Sequence, residues 1–177
     1  VFASQATELT LTTAQNFELK TDYYQPAMPT NRAVLLLHQC NFNRTMYDDI
    51  GQELSLNGIH ALSLDFRWFG ESIAGKTDIK ELAKLPPAER KNPWPMIMEH
   101  WPDDVQLAYD FLRKKVGKDG LIGVVGASCG GRQAQLLAEK NPVDAMGFFS
   151  SAVVSADDEE DMAQYKTMLA KKPTLFI

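Results

Sequence analysis

Apolar and polar residues alternate from Thr7 to Thr13, with Leu9 and Leu11 on the apolar side, and again from Phe17 to Tyr24. A period of two turns one face of each segment toward a core. With Ala14-Gln15-Asn16 between them, the pair predicts a β-hairpin or two antiparallel edge strands. A Pro-marked loop from Gln25 to Arg32 leads into Ala33-Val34-Leu35-Leu36-Leu37. Such a short continuous apolar run is expected of a strand buried on both faces of a parallel sheet.

From there helices and strands alternate. Thr45 caps a predicted helix from Met46 to Leu56, whose Met46, Ile50 and Leu54 share a face and which stops at Gly58. Ile59 to Phe66 is the next strand. Asp103 or Asp104 caps a helix carrying Val105, Ala108 and Leu112 that ends before Gly117. Leu121 to Val125 reads as a strand, Gly130 to Lys140 as a helix with Ala134, Leu137 and Ala138 inward, and Val143 to Phe149 as a strand. A helix from Glu159 to Lys172 carries Met162, Tyr165 and Leu169 as its apolar stripe, and Pro173 to Ile177 reads as a last strand. These loop lengths imply right-handed βαβ units. The fold class expected is therefore α/β: a doubly wound, mostly parallel sheet with antiparallel N-terminal edge strands.

Residues 1–32 hold the N-terminal strands and linker, and 33–177 the core of the same domain. A long irregular stretch, 70–102, is rich in Pro and Trp. It leaves the carboxyl end of a parallel strand, the sheet edge where ligands bind, and is read as a lid-like insertion.

Composition narrows the function classes. The chain has 177 residues, 45% of them hydrophobic and 23% charged, which suits one globular core. A net charge of −5 gives no electrostatic reason to expect nucleic acid or an anionic membrane surface. No apolar stretch is long enough to span a bilayer as a helix. Ser4 and Ala6 have the spacing of a signal-peptide cleavage site, and they also suit a frayed terminus, so secreted or periplasmic and cytoplasmic placements both stand. Asn43-Arg44-Thr45 fits a glycosylation acceptor, a tripeptide that also arises by chance. Two cysteines alone do not fix the redox compartment.

The chemistry centres on Gly126-Ala127-Ser128-Cys129-Gly130-Gly131, placed directly between an apolar strand and a helix. That is a G-x-S-x-G nucleophile elbow in its confirming context, with the serine hydroxyl exposed at a helix N-terminus and flanked by glycines where a Cβ would clash. Ser128 is the candidate catalytic nucleophile. The Cys129 backbone N–H, at the helix start, supplies half of an oxyanion hole. The other half is expected from the loop His38-Gln39-Cys40-Asn41. A tightly packed strand–helix turn and a Rossmann phosphate loop are the rival readings. The second lacks the G-x-G pair that lets pyrophosphate approach.

Three segments resemble the α/β-hydrolase superfamily, and within it the dienelactone-hydrolase-like and esterase-like branch. Val34 to His38 resembles the strand ending in the family's His-Gly oxyanion motif, Leu64 to Ser72 its D-x-R-G-x-G-x-S turn, and Gly126 to Gly131 its elbow. The resemblance covers about Ala33 to Ile177. It departs at Gln39, where the family has glycine, and at Trp68, where glycine follows the arginine; an altered turn or an aromatic wall is expected at the second. Dienelactone hydrolases are similar but carry cysteine where this chain has Ser128. By position in the family, Cys40 supplies the second oxyanion N–H. Both cysteines then flank the site, either as small residues used through their backbones or as a disulfide or metal pair gating it.

The family's order of Ser, then acid, then His puts both partners of Ser128 beyond Ile177. The resemblance thus implies a truncated chain, since such hydrolases run to roughly 250 residues, and the 177 residues alone are expected to be inactive. Within the chain, His38 is structural in the family motif and His60 starts its strand at the wrong end of the sheet. A Ser128–His100 pair oriented by Asp103 or Asp104 stands beside the plainer view of a solvated loop histidine. Trp94, Met96, Met98 and Trp101 either line an acyl or aryl pocket or pack as a lid on their own domain, and Trp68, Trp94 and Trp101 are the candidate pocket residues. Arg67 either binds a substrate carboxylate or stabilises its turn. The acidic run Asp157 to Asp161 is read as a helix N-terminus, its rival being a cation site.

The expected function is a serine hydrolase cleaving an ester, lactone or related acyl bond through an acyl-enzyme on Ser128, acting on a small-molecule substrate and needing no metal or organic cofactor. The alternative is a non-catalytic α/β-hydrolase-like domain that binds a small ligand or protein partner. Peptide, polyester, carbohydrate ester and lactone substrates are all open.

Overall fold

The computed structural model describes residues 5–73, 86, 94–151 and 159–176. Its elements in chain order are β1 (Thr7–Thr12), β2 (Glu18–Tyr24), β3 (Arg32–Leu37), a 3-10 turn (Arg44–Tyr47), α1 (Asp48–Leu56), β4 (His60–Leu64), α2 (Trp94–Met98), α3 (Trp101–Val116), β5 (Leu121–Ala127), α4 (Cys129–Lys140), β6 (Ala145–Phe149), α5 (Glu159–Lys171) and β7 (Thr174–Phe176). Among the described residues, one seven-stranded sheet runs in the order β1-β2-β4-β3-β5-β6-β7. β1 and β2 are antiparallel, β2 is antiparallel to β4, and every other pairing is parallel. The expected α/β sheet with antiparallel N-terminal edge strands is present.

The apolar runs sort by parity. Leu35, Leu37, Leu62 and Leu64 join one buried cluster with Val105, Ala108 and Leu112 of α3 and Ala134, Leu137 and Ala138 of α4. Leu36 and Ala61 point to the opposite face with Tyr24 and Tyr47, backed by Val34, Leu54 and Val125. Successive strand side chains alternate faces, so a run of leucines feeds two layers at once. No helix among the described residues is long and apolar enough to cross a membrane.

Several boundaries differ from the sequence expectation. Asn43, not Thr45, opens the segment after β3: its Oδ1 accepts from Thr45 N at 2.9 Å and from Thr45 Oγ1 at 2.6 Å, and a 3-10 turn precedes α1. The buried residues of α1 are Gly51 and Ser55, while Ile50 is exposed. The Tyr24 ring fills the space where a Gly51 side chain would stand, and its hydroxyl donates to Asp48 at 2.8 Å, which sets the helix's rotation. α3 begins at Trp101, with His100 as its N-cap and Pro102 in the first turn. Of the insertion at 70–102, residues 74–85 and 87–93 lie outside the described residues. So do Asp157, Asp158 and the side chains of Met96, Glu159, Glu160, Asp161 and Tyr165.

Candidate functional site

β5 ends at Ala127 and α4 starts at Cys129, leaving Ser128 alone to make the turn. Its backbone sits at φ 48°, ψ −113°, a left-handed conformation that costs a side-chain-bearing residue of order 1–3 kcal/mol. Two hydrogen bonds impose it: Ser128 N donates to Phe149 O at 3.1 Å, and Ser128 O accepts from Arg132 N at 3.2 Å. The flanking glycines permit it. A Cβ on Gly126 would enter the Gly130 backbone, and one on Gly130 would strike the carbonyls of Leu37 and His38 at the end of β3. The helix N-terminus is thereby pressed against the loop that follows β3.

That loop carries Cys40, which forms a disulfide with Cys129 across 89 residues of sequence, with 5.3 Å between the Cα atoms. The pair is therefore a disulfide, which leaves the backbone N–H groups of both residues free to serve the site. Cys40 Sγ lies 4.0 Å from Ser128 Oγ, the outer limit of a sulfur hydrogen bond in which the serine donates. The structure thus brings Ser128, Cys40 and Cys129 together. As first residue of α4, Cys129 has an N–H with no carbonyl to bind within its helix. The Cys40 N–H binds no backbone carbonyl among the described residues. The loop's left-handed residue is Asn41 (φ 61°), not Gln39, so glycine is not required at 39.

The turn after β4 is organised by Asp65, which is fully buried. Its carboxylate accepts from Arg44 N at 2.6 Å and Glu71 N at 2.8 Å, and pairs with Arg44 Nη1 at 2.6 Å, tying this turn to the loop after β3. The Arg44 guanidinium also meets Glu8 at 3.0 Å, Asp22 at 3.0 Å and Glu71 at 2.5 Å. Burial raises the Asp22 carboxyl, and Arg44 opposes that rise. Nothing in the residue spacing points to this hub, because its members come from four separate segments: β1, β2, the loop after β3 and the turn after β4.

Trp68 occupies the expected glycine position at φ 77°, and Gly70 follows at φ 56° with its α-carbon against the Asp65 carboxylate. Trp68 is held by an edge-on contact with Phe17, centroids 5.6 Å apart. Together with Phe69, Glu71, Asn41, Phe42 and Arg44 it lines a groove of about 610 Å³. Ser128 is not among the groove's walls; Asn41, the residue after Cys40, is. Trp94 is half-buried and stacks on Phe69 at 6.1 Å, one step behind the groove.

Trp101 does not line it. Its ring is fully buried, stacks on Phe66 at 4.3 Å and donates its Nε1–H to Arg67 O at 3.2 Å, so it is core. Arg67 binds a carboxylate of its own chain: Nε and Nη2 reach the fully buried Asp104 at 3.0 and 2.7 Å. Asp104 is therefore committed and does not orient His100. Its carboxyl is pushed up by burial and pulled back by Arg67.

Each of the other two histidines is occupied. His38 is fully buried; its Nε2 accepts from Phe66 N at 3.1 Å and its Nδ1 donates to Gln39 O at 2.6 Å. Burial holds its pKa down, so the ring is a neutral structural element, as the resemblance implies. His60 bonds Tyr23 OH at 2.7 Å at the start of β4, away from the elbow. Among the described residues, no histidine is hydrogen-bonded to Ser128 Oγ.

A family model described as "Serine aminopeptidase, S33", of the Hydrolase_4 group, matches residues 28–177. The chain belongs to this hydrolase family. No curated protein matches it in sequence. Among solved structures it is similar to an alpha/beta hydrolase from Novosphingobium aromaticivorans (TM-score 0.60, 19% identity, 82% of this chain and 44% of that one). It is similar also to a thermostable carboxyl esterase from Bacillus coagulans (TM-score 0.60, 13% identity, 81% and 44%). An esterase of Pyrococcus furiosus gives TM-score 0.61 at 18% identity, over 83% of this chain and 52% of that one. The chain therefore spans about half the length of these structures. At such identities the likeness concerns the α/β-hydrolase fold.

Proposed function

We propose that this hydrolase is a serine enzyme of the carboxylic ester type, cleaving an ester, lactone or related acyl bond through an acyl-enzyme on Ser128. The observation that carries the reading is Ser128 held at φ 48° between β5 and α4, with its hydroxyl beside the N-terminus of a 12-residue helix. In this scheme Ser128 Oγ attacks the substrate carbonyl, and the N–H groups of Cys129 and Cys40 receive the developing oxyanion. Trp68, with Trp94 behind it, forms the apolar wall against which the substrate's acyl or alcohol part rests. The dienelactone-hydrolase-like branch is the narrower affiliation we favour, on the segments Val34 to His38 and Leu64 to Ser72. The activating base is none of the described histidines in their present positions, so residues 1–177 by themselves are expected to be inert.

That last point favours one competing reading, a non-catalytic domain that binds a ligand through the same groove. A fluorophosphonate probe separates the two. The full-length protein labels on Ser128, and Ser128→Ala abolishes the label; a folded full-length protein that stays unlabelled leaves only the binding reading.

A further inference from the structure

We infer that the Cys40–Cys129 disulfide is a redox latch on the oxyanion hole: intact, it keeps the two N–H donors in register, and reduced, it frees the loop and slows turnover. This rests on the serine-hydrolase reading of the site and adds its regulation.

The bridge joins the two residues that this chemistry uses through their backbones, one on the loop after β3 and one at the start of α4. The loop is anchored at both ends. On one side, Leu37 O accepts from Tyr47 OH at 3.1 Å and His38 accepts from Phe66 N; on the other, Asn43 caps the 3-10 turn and the buried Asp65 carboxylate holds Arg44. Between these anchors, Gln39, Asn41 and Phe42 are exposed, and the polar tie recorded is Gln39 O to the neighbouring His38 ring. Among the described residues, no backbone hydrogen bond links residues 39–42 to another element. Gly130 of α4 packs on the Leu37 and His38 carbonyls just before this stretch, and the disulfide is the covalent tie between the stretch itself and α4.

Its position also suits exchange. Cys40 and Cys129 are both half-buried rather than sealed in the core. Cys129 opens α4, where the helix dipole and free N–H groups stabilise a thiolate, making it the better leaving group. A thiolate of a dithiol attacks Cys40 Sγ, the S–S bond breaks, and its electron pair leaves on Cys129. The dithiol's second thiolate then attacks the mixed disulfide and expels Cys40 as thiolate. The dithiol is oxidised to its cyclic disulfide, the protein gains two electrons, and the dithiol's two protons pass to solvent or the new thiols. Because Cys40 Sγ lies 4.0 Å from Ser128 Oγ, the change occurs beside the nucleophile.

Losing one oxyanion donor costs about 10²–10³ in kcat. A freed loop still visits its place part of the time, so the expected fall is at least about tenfold, with KM changed less than about twofold. The full-length protein is equilibrated in buffers of reduced and oxidised dithiothreitol. At each ratio the bond is quantified by alkylation and mass spectrometry, alongside far-UV circular dichroism, fluorophosphonate labelling of Ser128, and kcat and KM on p-nitrophenyl acetate. The latch predicts that labelling and kcat fall together with the bond at unchanged dichroism and recover on reoxidation. It also predicts that the Cys40→Ser/Cys129→Ser double variant sits at the low rate and ignores the buffer. If that variant does not fold, the wild-type titration carries the test alone. Reduced protein that labels and turns over at the oxidised rate overturns the latch, and so does reduction accompanied by loss of dichroism, which makes the bond a stabilising crosslink. Oxidised, folded protein that neither labels nor hydrolyses overturns the hydrolase reading itself, and the latch with it.

Discussion

Asp104→Asn tests how the groove's wall is anchored. Asp104 is fully buried, the Arg67 side chain is 5% exposed, and two hydrogen bonds of 3.0 and 2.7 Å join them. An asparagine keeps the shape, but it can offer Arg67 only one acceptor and turns an N–H₂ toward the other guanidinium N–H. The guanidinium then lies buried without its counter-charge, a change that costs about 3–5 kcal/mol. Arg67 retains the Phe17 ring, 4.5 Å from its Cζ, and Gln15 Oε1 at 3.4 Å, but the wild type has both contacts too, so they cancel in the difference. The net expectation is a loss of about 3–5 kcal/mol. Urea unfolding of the wild type, Asp104→Asn, Arg67→Met and the double variant Arg67→Met/Asp104→Leu forms the assay. Trp101 fluorescence is a fitting probe, because that indole donates to Arg67 O and stacks on Phe66. The double variant, which buries no charge, should lie within about 1 kcal/mol of wild type. A loss below about 1 kcal/mol in Asp104→Asn, or a double variant no better than the single ones, would refute the argument.

The other predictions concern titration and strain. Burial depresses the His38 pKa below its ordinary 6.5, so its neutral form is the folded one, and its contribution is complete above pH 6.5 and lost as pH falls toward the folded value. Between pH 7.5 and 5.5 this amounts to at most about 1.4 kcal/mol. His60 is also depressed and adds the same sign, so the readout is the difference in slope between wild type and His38→Gln; equal slopes would refute it. Ser128→Gly relieves the left-handed strain at φ 48° and should unfold about 1 kcal/mol later than Ser128→Ala, while neither variant takes the fluorophosphonate label. Equal stability of the two would mean that the elbow stores no strain.

Side-chain periodicity carried most of the architecture. Two-residue alternation in Thr7 to Thr13 and Phe17 to Tyr24, followed by unbroken apolar runs, specified antiparallel edge strands beside a buried parallel sheet. The helix faces of α3 and α4 were equally legible, since Val105, Ala108 and Leu112, and Ala134, Leu137 and Ala138, are buried as spaced. α1 was not. Its rotation is set by the Tyr24 ring against Gly51, a contact between a strand and a helix 27 positions apart, and helical spacing is blind to a partner's side chain.

The same division runs through the site. Sequence alone marked Ser128, because a strand, a glycine-flanked serine and a helix in direct succession are local facts with local consequences. Two glycines, Gly126 and Gly130, already declared that backbones must meet there. Which groups surround that serine was decided by tertiary structure. Trp101 looked like a pocket residue and became core, Arg67 and Asp104 found each other, and Arg44 gathered carboxylates from separate segments. The two cysteines, 89 residues apart, became one bond beside the nucleophile only because β3 and β5 are parallel neighbours with their carboxyl ends level, Leu37 opposite Gly126. Periodicity fixes which face a residue turns; sheet order and register fix what it meets, and those arise from the packing of the whole chain.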